Sequence, residues 1–125
     1  MVQYEVAKRI VARDKKESLL SISTKAYGEP KMIMKVEARY FSPAPKVDSA
    51  VIAIKNISRK VFKENGVNEQ EFWEIVKKGF AHKRKKLSGN LKDLCQGESL
   101  ARFKDKRAED LTVADWILLV KKCYN

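Results

Sequence analysis

Met32-Ile33-Met34-Lys35-Val36-Glu37-Ala38-Arg39-Tyr40-Phe41 is the stretch on which the fold turns. Met32, Met34, Val36, Ala38 and Tyr40 alternate with Ile33, Lys35, Glu37, Arg39 and Phe41, and this period predicts a half-buried strand. The loop Ser42-Pro43-Ala44-Pro45-Lys46-Val47-Asp48 then leads into Ser49–Ile57, whose apolar centre reads as a strand buried on both faces. Each proline drives the residue before it toward extended geometry, so the intervening loop is stiff. Stiff loops beside strands are good places to hold a ligand.

Upstream, Val6 with Ile10 and Ala7 with Val11 stand at helical spacing within Val2–Ala12. After the charged break at 13–17, Leu19, Ile22 and Ala26 mark a second short helix, with Gly28 and Pro30 placed to end it. Downstream of Asn65-Gly66 everything reads helical. Asn68 and Glu71 form an N-cap pair ahead of the stripe Phe72, Val76, Phe80, and Leu87, Leu91 and Leu94 supply another stripe. A short helix starts near Ser99, and Thr112 with Asp115 caps a last one bearing Trp116, Ile117 and Val120. The expected fold is therefore an α/β segment over 1–58, a linker over 59–67 and a small all-α unit over 68–125. The α/β part has too few strands to cover its own faces, and it reads as the tail of a larger sheet.

Charge is the unusual quantity. Lys and Arg number 27 against 16 Asp and Glu, giving +11 in 125 residues, which favours a polyanionic partner. Seven of those cations (Lys77, Lys78, Lys83, Arg84, Lys85, Lys86, Lys92) fall within 77–92, where there is no acid. Clustered cations are rewarded by phosphate backbones through counterion release, whereas a solvated helix face is the ordinary alternative. Apolar runs such as Ala50–Ile54 are far too short to span a bilayer, and the N-terminus lacks the pattern of a secretory signal. A cytoplasmic location and no membrane partner are expected.

Several chemistries lack their materials. Cys95 and Cys123 form no Cys-x-x-Cys pair and read as free thiols, and with the single His82 they make a metal site unexpected. No Gly-x-Gly-x-x-Gly or phosphate-cradling loop occurs, and no nucleophile–base pair is evident. Glu5 and Arg9 are spaced for a surface ion pair; Asp14, Glu17, Glu109 and Asp110 read as surface or helix-end charges, and Trp73 and Trp116 as core anchors.

Phe41-Ser42-Pro43-Ala44-Pro45-Lys46-Val47-Asp48-Ser49-Ala50-Val51 resembles the F-x-P-x-P-K-V-x-S-A-V motif of the rRNA adenine-N6,N6-dimethyltransferases. Val2–Ile10 is similar to the family's V-Q-K-E-V-A-x-R-I, Phe80–Leu91 to F-x-x-R-R-K-T-L-x-N-x-L, and Arg107–Val113 to R-A-E-x-L-(S/T)-V. The resemblance follows the family's order along nearly the whole chain. Lys83 and Lys86 stand where the pattern has Arg and Thr, Ser88-Gly89 where it has Arg-Asn, and Ala38-Arg39 where a proline pair is common. Lysines keep the charge but lose the bidentate fork.

The resemblance implies the end of a Rossmann-like methyltransferase domain followed by a small helical rRNA-binding domain. The family's S-adenosylmethionine loop and Asn-Leu-Pro-Tyr motif do not occur. It implies an S-adenosylmethionine-dependent enzyme that dimethylates adjacent adenines near the 3′ end of small-subunit rRNA, with this portion inactive and binding no cofactor alone. Phe41, Pro43, Pro45 and Lys46 would wall the pocket of the flipped adenine. Lys77, Lys78, Lys83, Arg84, Lys85, Lys86, Asn90 and Lys92 would meet rRNA in a pre-ribosomal particle, the chain being a monomer without metal. The rival reading is a stand-alone RNA-binding or ribosome-assembly protein without methyltransferase activity. The macrolide-resistance methyltransferases of large-subunit rRNA share the proline-lysine motif, but the Arg107–Val113 stretch favours the small-subunit enzymes.

Overall fold

A computed structural model describes residues 1–13, 16–82, 84–95, 100–103 and 105–124. The chain opens with strand β1 (Val2–Gln3) and helix α1 (Tyr4–Val11), then runs through α2 (Leu19–Lys25), β2 (Glu29–Val36) and β3 (Ser49–Lys55). From there the described elements are helical: α3 (Lys60–Asn65), α4 (Glu69–Gly79), the single turn α5 (Leu87–Asn90) and α6 (Val113–Tyr124). The expected start near Ser99, like Asp14 and Lys83, lies outside the described residues.

The sheet has the order β1-β3-β2, antiparallel throughout. Val2 and Gln3, expected to open a helix, instead pair with Ala50 and Ser49, and the helix starts where the Tyr4 amide donates to the Asp48 carbonyl at 2.9 Å. β3 is central, as its apolar run suggested. It is covered on one side only, and Ala50 is its one fully buried residue. Alternation puts Ala50 and Ile52 on the face covered by α1 and α2, and Val51 on the other.

A bulge between Met32 and Met34 breaks the alternation that seemed to run unbroken to Phe41. Before it Met32 pairs with Ile52; after it Met34 pairs with Val51, so Met34 faces outward and is 54% exposed. The strand ends at Val36, and Ala38–Tyr40 closes into a 3₁₀ turn. Pro30 lies inside β2 rather than ahead of it, which an edge strand tolerates. Gly28 is needed for space: a Cβ there would stand 2.7 Å from Ile54 Cγ2.

The stretch expected as a linker holds α3, which buries Phe62 and ends on Gly66 in the left-handed conformation at φ +62°. The capping pairs read from sequence are present: Glu71 N donates to Asn68 Oδ1 at 3.2 Å, and Thr112 and Asp115 exchange bonds at 3.1 and 3.3 Å. These helices close over Phe72, Leu87, Leu91, Phe103 and Trp116, and Ile22 of α2 with Ala26 just after it joins the same core. Gly79 lets Trp116 close in, since a Cβ there would lie 2.5 Å from its ring.

Three local expectations change. Cys95 and Cys123 are disulfide-bonded, not free: the packing of α6 brings their Cα atoms to 5.1 Å across 28 residues of sequence, inside the range a disulfide spans. Glu5 faces Lys8 at 3.6 Å rather than Arg9. Glu17 is no surface charge; it pairs with Lys25 at 2.8 Å with its side chain only 10% exposed, where the Ser21 hydroxyl also donates to it.

Candidate nucleic-acid interface

The first candidate region is the loop between β2 and β3. Phe41 is half-buried at its entry, while Pro43, Pro45 and Lys46 are exposed along it. Asp48 holds its base. The Asp48 Oδ1 accepts from the Ala38 amide at 2.9 Å, its Oδ2 faces Lys35 Nζ at 3.5 Å, and its carbonyl takes the Tyr4 amide. The Ala38 amide, with Lys35 assisting, holds the Asp48 carboxyl below the usual carboxylate range. Tyr4 in turn lies under Lys35, 4.6 Å from its ring centre.

Lys46, Val47 and Asp48 together with Gln3, Tyr4 and Glu5 line an open cleft of about 290 Å³. Of the residues expected at an adenine pocket, Lys46 lines this cleft, while Phe41, Pro43 and Pro45 do not. Asp48 was missed in the sequence because its partners come from three separate elements. The one local signal was an acid closing a proline-rich loop.

The second region is the turn from α4 into α5. Lys77, Lys78, Arg84, Lys85, Lys86 and Lys92 are all exposed. Lys86 faces Asp105 at 3.7 Å, whereas Lys77, Lys78, Arg84, Lys85 and Lys92 have no ion pair among the described residues. Asn90 differs from the rest of this group. It is buried, and its Nδ2 donates to the carbonyls of Gly79 at 2.9 Å and His82 at 3.0 Å. It thereby ties the end of α4 to the turn that carries the cations: the Gly79 carbonyl is one that a helix C-terminus leaves unpaired, and the His82 carbonyl also accepts from the Lys85 amide at 2.9 Å.

No group of His, Cys, Asp or Glu able to hold a metal occurs among the described residues. None of the described helices is long and apolar enough to cross a membrane.

The three-stranded antiparallel sheet and the helices that follow it superpose on two solved RNA-methyltransferase structures. The dimethyladenosine transferase from Plasmodium falciparum superposes with a TM-score of 0.74 at 23% identity, over 94% of this chain and 53% of that one. The 23S rRNA methyltransferase ErmE superposes at 0.66 and 18% identity, over 98% and 52%. These likenesses define the fold. The sequence profile of ribosomal RNA adenine dimethylase matches residues 1–124, and the chain belongs to that family. The ribosomal RNA small subunit methyltransferase A of Rippkaea orientalis is 35% identical over 94% of this chain and 46% of its own length. The chain thus spans about half the length of the curated relatives it matches.

Proposed function

We propose that the chain is the C-terminal portion of an S-adenosylmethionine-dependent rRNA adenine-N6,N6-dimethyltransferase acting on adjacent adenines near the 3′ end of small-subunit rRNA. In this reading the helical unit over 68–125 grips the rRNA of a pre-ribosomal particle. The loop of Phe41, Pro43, Pro45 and Lys46 forms one wall around the target adenine. The observation that carries the reading is that Lys77, Lys78, Arg84, Lys85 and Lys92 are exposed without an acidic partner among the described residues, on a chain matched over 1–124 by the family. Each cation that neutralises a phosphate releases condensed counterion, so affinity accumulates along the turn.

The methyl donor supplies an electrophilic methyl group when bound, and its site belongs to the other half of the enzyme. Of the described glycines, positions 28 and 79 are filled by Ile54 and Trp116, Gly66 ends a helix, and Gly89 lies beside the Lys85 side chain. What these residues contribute is binding and orientation, with Asp48 fixing the base of the loop and Asn90 fixing the basic turn.

The test uses the pure chain, a labelled small-subunit 3′-end rRNA hairpin and calorimetry with S-adenosylmethionine. The hairpin should bind with a steep salt dependence, and the donor should give no saturable heat. Alanine at Lys77, Lys78, Arg84 and Lys85 should flatten the salt slope by roughly 0.7–0.9 per lost phosphate contact. An unchanged slope, or saturable donor binding, would overturn the reading.

A further inference from the structure

Between the end of α4 and the short α5 lies a notch of about 150 Å³, lined by Lys78, His82, Lys85, Asn90, Lys92 and a single acid, Asp93. Three lysines against one carboxylate make it a seat for an anion, and none of those lysines is committed to an ion pair among the described residues.

Asn90 adds a second requirement. It is 94% buried, and its Nδ2 is already spent on the Gly79 and His82 carbonyls. Those carbonyls also fix the orientation of the amide, because turning it over would press its oxygen against two acceptors. Oδ1 is left as a buried acceptor with no partner. Trp116 Nε1 is the other such atom among the described residues, and Trp116 does not line the notch. A buried acceptor without a donor is unfavourable, so the ligand that suits the notch brings one. A phosphate diester has acceptors only. A ribose beside it has a 2′-hydroxyl that can donate.

We propose that the notch is a ribonucleotide seat, in which Lys78, Lys85 and Lys92 hold a phosphate and Asn90 Oδ1 accepts a hydrogen bond from the adjoining ribose 2′-hydroxyl. This rests on the reading of the basic turn as an RNA contact and adds to it a means of telling RNA from DNA.

The test is fluorescence anisotropy of the full chain with one single-stranded sequence made as RNA, as DNA and as 2′-O-methyl RNA. The methylated strand keeps RNA-like sugar geometry but cannot donate. RNA should bind tighter than both others by roughly two- to tenfold, the worth of one net hydrogen bond. Lys85→Ala or Lys92→Ala should weaken all three strands alike. Asn90→Ala should bring RNA to the level of DNA, and the sugar exchange gives the same answer without touching the protein. Equal affinity for all three strands, or RNA and 2′-O-methyl RNA binding alike, would overturn the seat and leave the polyanion reading standing. Binding to none of them would overturn that reading as well.

Discussion

The two ends of this chain are built to different standards of closure. In the helical part Phe72, Leu87, Leu91, Leu111, Trp116 and Leu119 have no exposed surface. Cys95 of this core is bonded to the half-buried Cys123, a cross-link that in the chain-entropy account removes about 3–4 kcal/mol of unfolded-state freedom. In the sheet part only Ala50 reaches that state among the strand residues, and Ile33 and Met34 are 52% and 54% exposed. Both outer strands, β1 and β2, keep an unpaired edge. The contrast shows where stability resides. The helices carry a finished core, whereas the sheet leaves one face and its outer edges uncovered.

The sharpest way to break this comparison is to damage the finished core. Trp116 is wholly buried against Gly79 and Phe80, with ring centroids of Phe80 and Trp116 5.6 Å apart. Trp116→Ala should cost about 3–5 kcal/mol, enough to unfold a domain of ordinary stability. Urea unfolding followed by circular dichroism checks this. A loss below about 1 kcal/mol would mean the helical core is not where the chain is held together.

A smaller effect is expected where the two parts meet. The Tyr27 hydroxyl at the end of α2 accepts from Trp73 Nε1 at 3.0 Å and donates to Glu69 Oε1 at 2.8 Å, with its ring stacked on Trp73. Tyr27→Phe leaves the indole N–H without its partner and should cost about 1–2 kcal/mol. Burial, with Glu69 adding to it, raises the Tyr27 pKa above its ordinary value of 10.0. A raised folded-state pKa gives stability that is fully present below pH 10 and is lost as pH climbs through the folded value. Thermal melts from pH 8 upward should show that alkaline loss in the native chain and a shallower one in Tyr27→Phe. Parallel curves would separate Tyr27 from the joint.

What was legible in the sequence was local. Asn68 with Glu71 and Thr112 with Asp115 announce helix starts because the capping bonds join residues three apart. The central place of β3 was readable from its apolar run. The bulge at Met32/Met34 was not, since it depends on how β2 meets β3 and leaves an alternating sequence unchanged. The disulfide depends on how α6 packs, and helix α3 formed in a stretch whose one clear signal, Asn65-Gly66, marks a helix end as readily as a turn. In the basic turn the cations were visible as composition. The residues that arrange them, Asn90 and Gly79, act from inside the core, where sequence carries no mark of what they touch.

The smallest expected effect sharpens the comparison from the sheet side. Met34 sits after the bulge on the uncovered face opposite α1 and α2, paired with Val51. Met34→Lys places a charge where the side chain is already half in water, so the stability of the chain alone should change by no more than about 0.5 kcal/mol. The same substitution should matter far more once that face is covered, because a lysine buried without a partner is strongly unfavourable. Co-expression with the N-terminal half of a relative, followed by co-purification, compares the two situations directly. Association lost in Met34→Lys at unchanged stability identifies the uncovered face as the seam between halves. Association kept at full strength would place the seam at the free edge of β1 instead, where Val2 and Gln3 offer backbone rather than side chains.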